Sequence, residues 1–95
     1  MARAQITDPV AYKKYTDRVP DIIKRHGGTV LARGGRYRIM EGPEDFHRFV
    51  VIEFPTLEQA AACFESPEYQ EAAGFRRNGG GMVENVIVES GDATK

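Results

Sequence analysis

The sequence predicts an α+β sandwich, a four-stranded antiparallel sheet with helices on one face. Three features lead there. Two strand–helix–strand units fit within 95 residues. The most apolar run, Phe49-Val50-Val51-Ile52, suits an inner strand covered on both faces better than an edge with a wet side. Two helix starts also carry a capping residue followed by proline, Asp8-Pro9 and Ser66-Pro67.

Taken in order, Ala2 to Ile6 offers a short strand with Ala4 and Ile6 on its apolar face. A helix follows from Asp8, with Ala11, Tyr15, Val19, Ile22 and His26 in one helical stripe that Tyr12 and Ile23 widen. Pro20 inside that stripe predicts a kink or break near Val19, and Gly27-Gly28 a left-handed cap. Thr29 to Arg33 is the second strand. Gly34-Gly35 allows a bend or bulge, Tyr37 to Met40 continues the strand or begins a ribbon, and Glu41 to Asp45 is a turn. The central strand leaves at Pro55. Thr56 and Gln59 then match a capping box ahead of a helix whose buried face is Leu57, Ala60, Ala61 and Phe64. The helix from Ser66-Pro67 presents Tyr69, Ala72, Ala73 and Arg76 inward, with Phe75 beside them. Asn78 to Gly81 is a connector, Met82 to Glu89 the last strand, and 90–95 a polar tail that frays.

That order is the βαββαβ of a ferredoxin-like sandwich, in which the third strand lies between the first and second. Helices cover one sheet face and leave the other bare. A second copy packed on the bare face would bury it, so a homodimer is expected. At this length the chain forms one domain, 1–95, and buries only about 60–65% of its unfolded surface.

Composition narrows the partners. A net charge of −1 gives no electrostatic case for nucleic acid or anionic lipid. No apolar run approaches the roughly 18 residues of a membrane span, and the opening residues lack a signal-peptide core. The single Cys63 forms no internal disulfide, which suits a reducing cytoplasm. Two histidines 21 residues apart make no metal pattern, and the glycine stretches match no phosphate or dinucleotide loop. No metal or cofactor is expected.

The stretches TDPVAYKKY, KRHGGTVLARGG, FVVIEFPTLEQA and SPEYQEA closely resemble the domain-of-unknown-function family 1330, over about Ile6 to Glu89. That resemblance implies the dimeric α/β barrel superfamily, whose members include small isomerases, cofactor-free monooxygenases and haem enzymes. It carries no catalytic set to this chain. Members of the family usually open with a longer apolar-aromatic strand ahead of the position of Ala2. Here the first strand is therefore either shortened or frayed, and any pocket group it normally supplies would be missing.

Several residues can carry chemistry. Glu53 is a carboxylate in an apolar run, suited to act as base or anchor; the preferred reading is an ion pair with Arg33 that fixes sheet register. Arg33 is the best anchor for an acidic ligand, whereas Arg36, Arg38 and Arg48 read as solvated strand charges. Tyr69 and Arg76 point inward over alanines, with Tyr12 and Tyr15 closing the other side of a pocket, although each tyrosine alone reads as a packed ring with a locally satisfied hydroxyl. His26 sits where a helix dipole favours a cation, its alternative role being proton transfer. Cys63 reads as packing.

Three functions follow. One is a cofactor-free enzyme, isomerase- or monooxygenase-like, acting on a small anionic or aromatic metabolite. In it Glu53, His26 and Tyr69 would be catalytic, and Arg33, Arg76, Tyr15 and Tyr12 would bind the substrate. The second is a non-catalytic small-molecule-binding or stress-related accessory protein using the same pocket. The third is a structural dimerisation module.

Overall fold

The computed structural model describes residues 1–91. Strands β1 (Ala2–Ile6), β2 (Thr29–Arg33), β3 (Arg48–Glu53) and β4 (Gly81–Asn85) form one antiparallel sheet in the order β2-β3-β1-β4. Helices α1 (Pro9–Thr16), α2 (Val19–Arg25), α3 (Leu57–Glu65) and α4 (Pro67–Phe75) complete the ferredoxin-like arrangement. As the order of elements predicts, β3 lies between β1 and β2. The first strand is not frayed: β1 is bonded to β3 on one side and to β4 on the other.

Local chemistry sets the helix ends. The Asp8 carboxylate accepts from the backbone N–H groups of Val10 and Ala11 at 3.1 and 3.3 Å. Pro20 has no N–H to offer the preceding turn, so the first helical stretch divides into α1 and α2. Ser66 serves two helices at once. Its hydroxyl donates to the Cys63 carbonyl at the end of α3 (2.6 Å) and accepts from the Tyr69 N–H at the start of α4 (3.3 Å). This corner fixes the rotation of α4, and Tyr69, Ala72, Ala73 and Arg76 all turn inward as expected.

The core lies between sheet and helices, built from Ala4, Tyr12, Tyr15, Ile22, Ile23, Cys63, Tyr69, Ala72 and Ala73, with Ile52, Phe54, Phe64 and Val83 packed against it. The face assigned to α3 needs correction. Ala60 and Cys63 are buried, whereas Leu57 is exposed and lines a broad groove with Leu31 and Ile87. The strand β3 is inner but roofed on one side only: Val50 and Ile52 look toward the helices, and Val51 on the other side is 40% exposed.

Two strand expectations fail for stated reasons. Gly34 (φ 71°) turns the chain out of β2, so Tyr37 to Met40 forms no strand. The segment 34–47 instead lies partly over the bare sheet face. Tyr37 packs on Phe49 with ring centroids 4.6 Å apart, and Phe46 is buried with the Arg3 guanidinium 4.3 Å over its ring. The last strand stops at Asn85 because β1 begins beside it, at Ala2. Val86 bonds only to Met1, and Val86 to Val88 stays exposed. The tail expected over 90–95 lies, from residue 92 on, outside the described residues.

Glycines test the packing with opposite signs. A Cβ on Gly81 would stand 2.6 Å from the Gln5 carbonyl oxygen, in the β1–β4 pairing, and 3.1 Å from the Tyr12 ring. A Cβ on Gly74, inside α4, would meet nothing within 4 Å. In urea denaturation, Gly81→Ala should cost about 1–3 kcal/mol. Gly74→Ala should add about 0.5–1 kcal/mol. Equal effects of one sign would contradict this packing.

Candidate functional site

Between the sheet and α1–α2 lies a cavity of about 60 Å³. Its walls come from helix-facing strand residues, Ala4, Val30, Val50, Ile52 and Val83 among them, and from Tyr12, Tyr15 and Tyr69 on the helices. Arg3, Arg33 and Arg48 also line it, and among the described residues no aspartate, glutamate or histidine does.

A register shift puts Arg33 there. In β2 the pairing runs Thr29 with Glu53 and Val30 with Ile52, then jumps to Ala32 with Val51 and Arg33 with Val50. The extra residue, Leu31, is a β-bulge. Without it Arg33 would fall opposite Phe49 and point to the bare face; with it Arg33 shares the face of Val50 and reaches the cavity. Arg48 arrives there by plain alternation with Val50 and Ile52. Neither Arg33 nor Arg48 forms an ion pair among the described residues.

Helix spacing assembles the other wall. Tyr12 and Tyr15 lie three apart on α1, and their rings are 5.4 Å apart. The Tyr15 and Tyr69 hydroxyls are 2.8 Å apart, joining α1 to α4. Seven residues after Tyr69, and so on the same helical face, Arg76 donates from Nη2 to the Tyr69 hydroxyl at 3.4 Å, with its guanidinium 5.1 Å from the Tyr15 ring centroid. Arg76 is buried, makes no ion pair among the described residues, and its Nε–H has no partner. Past it the chain is pinned by the Thr7 and Asp8 N–H groups, both donating to the Gly80 carbonyl at 3.1 Å.

Burial, then the neighbouring Tyr69, push the Tyr15 phenol well above its ordinary pKa; Arg76 only partly opposes them. Burial likewise raises Tyr12, against Arg48 and Arg76. For Arg76 burial disfavours the charge, but the hydrogen bond to Tyr69 and the nearness of both phenols outweigh it, so it stays cationic. The site thus holds neutral phenols around a permanent cation. Cys63 is a packed thiol, its pKa pushed up to about 11 by burial and then by Glu68.

The structure therefore brings together Arg33, Tyr12, Tyr15 and Tyr69 at the cavity and Arg76 next to it. It does not bring Glu53 or His26. Glu53 faces the bare side opposite Thr29, four residues along β2 from Arg33, so the expected Glu53–Arg33 pair does not form; the bulge also places the two side chains on opposite faces. His26 caps α2, donating from Nδ1 to the Ile22 carbonyl at 2.9 Å, with Nε2 3.8 Å from Glu68. Neither can move a proton for a molecule in the cavity. Arg48 was the residue passed over. Its even position in β3 was the available signal, hidden by the habit of reading strand-end charges as solvated.

A family model, the domain of unknown function DUF1330, matches residues 1–90, and the chain belongs to that family. Two solved structures are similar. The crystal structure of the methylated RPA0582 protein aligns over 99% of this chain and 82% of its own at 18% identity, with a TM-score of 0.68. That of RPA0582 from Rhodopseudomonas palustris, a protein of unknown function, covers 93% and 82% at 18% identity, with a TM-score of 0.62. At such identity the likeness shows the fold alone. No curated protein matches the chain.

The raised phenols make stability pH-dependent. Below about pH 10 folded and unfolded chains both keep the phenolic proton, so the contribution is complete. Above it the unfolded chain releases protons that folded Tyr15 and Tyr12 retain, and stability falls by up to about 1.4 kcal/mol per pH unit for each such phenol. Urea midpoints taken at pH 8, 10 and 11 should drop along that limb, and less steeply for Tyr15→Phe. Identical slopes for the two proteins would contradict the burial of this phenol.

Proposed function

We propose that the protein is a cytoplasmic homodimer that binds a small aliphatic carboxylate in the cavity between sheet and helices. The observation that carries this reading is the unbalanced charge of the cavity: Arg33 and Arg48 line it, and among the described residues no acid does. Arginine suits a carboxylate because its planar fork meets both oxygens. The unpaired guanidinium groups favour an anion over the neutral aromatic ligand expected from sequence, and a volume of about 60 Å³ favours a short chain.

The binding reading is preferred over catalysis by proton abstraction, since among the described residues no carboxylate or imidazole lines the cavity to serve as base. Any catalysis there would be confined to what phenols and guanidinium groups do, which is to polarise an oxygen. The purely structural module accounts for neither the cavity nor its lone charges.

The homodimer is supported by the bare sheet face. Leu31, Val51 and Met82 are exposed, and Leu31 and Val51 stand on the face that the helices leave uncovered. An antiparallel sheet tolerates one wet face when that face is polar; this one carries apolar residues on three strands. A second copy offers the same surface, its apolar residues set beside Glu53 and the Arg3–Glu84 pair, and so a self-complementary partner.

Two measurements test these readings. In NMR titrations with propanoate, butanoate and pentanoate, the acids should bind at least about tenfold more tightly than the matching alcohols, and Arg33→Ala/Arg48→Ala should erase the difference. Equal affinity for acid and alcohol would overturn the carboxylate. In sedimentation at micromolar concentration the protein should run at twice its 10.6 kDa subunit mass. Leu31→Glu/Val51→Glu should run as the single subunit; a wild-type monomer would overturn the dimer.

A further inference from the structure

The groups beside the cavity do not balance as hydrogen-bonding partners. Two phenols contribute two protons and two acceptor oxygens, and a guanidinium contributes N–H groups only. The 2.8 Å contact between Tyr15 and Tyr69 uses one phenolic proton, whichever ring donates. Arg76 then occupies a lone pair on Tyr69. One phenolic proton is left over, and so is the buried Nε–H of Arg76. Among the described residues lining the cavity no carboxylate or imidazole can accept it. Buried donors without acceptors each cost on the order of 1–3 kcal/mol, which an incoming acceptor would recover.

The chain of bonds also has a direction. Arg76 cannot accept, so it stands at the donating end. If Tyr69 passes its proton to Tyr15, the free hydroxyl is that of Tyr15; if Tyr15 donates, it is that of Tyr69. Both tyrosines line the cavity, so in either arrangement the spare O–H belongs to a residue that borders it. The buried cation behind it polarises that O–H and strengthens its bond to an oxygen carrying partial or full negative charge.

We infer that the Tyr15–Tyr69 pair, backed by Arg76, is a second anchoring point that takes a carbonyl oxygen, so that the ligand is a short-chain oxo acid rather than a simple carboxylate. This rests on the carboxylate reading, with the acid group at Arg33 and Arg48 and the oxo oxygen at the phenols. The phenols are binding groups, and a negative charge developing on the oxo oxygen would be met by the same donors.

The test compares 2-oxobutanoate with butanoate, which differ only in the oxo oxygen. The oxo acid should bind at least about tenfold more tightly. The carbonyl 13C resonance of bound [2-13C]2-oxobutanoate should move downfield of its free position. In Tyr15→Phe/Tyr69→Phe, which keeps both rings, the affinity ratio should fall to about one and the 13C displacement should vanish. A ratio measured on one sample is independent of how much of that sample is folded, so loss of stability does not mimic the result. If both acids bind wild type equally, the second anchor is wrong and the carboxylate reading stands. A preference that survives the double variant also overturns the second anchor. If neither acid binds, both readings fall.

Discussion

The constraint on which the site depends is a cation with no anion. Arg76 is buried at the end of α4 and forms no ion pair among the described residues. Burying a charge is costly unless hydrogen bonds compensate. Here the compensation comes from Tyr69, with the Tyr15 ring beside it. The same contacts tie α4 to α1, since the two phenols meet at 2.8 Å. Helix packing and site electrostatics are therefore one set of interactions. The outer ion pairs between α2 and α4, Arg18 with Glu71 and Arg25 with Glu68, involve exposed side chains and contribute little to holding it.

Opposite this wall the sheet supplies the complementary half. Small side chains, Ala2 and Ala4, leave room where larger residues would fill the space between β1 and α1. The bulge at Leu31 then brings a guanidinium to that room from a strand whose simple alternation would have sent it away. One inserted residue turns Arg33 toward the helices, while its separation from Glu53 follows from the register, in which Glu53 pairs with Thr29. The two faces of the sheet acquire different chemistry as a result, cationic and enclosed on one side, apolar and open on the other.

Much of the fold was legible because local signals agreed with one another. Asp8-Pro9, Pro20 and Ser66-Pro67 fixed three helix boundaries, and the apolar density of 49–52 fixed the inner strand. The inward face of α4 followed from helical spacing alone. What could not be read were features that depend on a neighbouring strand. The bulge lies in TVLAR, which has no glycine to mark it, while Gly34-Gly35, which looked like the bulge, ends the strand. The MVENVIVE stretch has strand character throughout, yet only the part beside β1 is paired. Residues 37–40 alternate as a strand would but pack across the sheet instead, through Tyr37 on Phe49. The site was half legible for the same reason: helix-borne Tyr12, Tyr15, Tyr69 and Arg76 could be placed by period, whereas Glu53 and Arg33 required the register.

The most direct measurement is anomalous diffraction from crystals soaked in bromide, a small anion that needs donors and positive charge but no particular shape. A cavity bordered by Tyr15, Tyr69, Arg33 and Arg48 should hold a bromide ion against one of these phenols or guanidinium groups. Bromide only at exposed arginines such as Arg36, Arg38 and Arg77, with none in the cavity, would contradict the electrostatic character assigned to it.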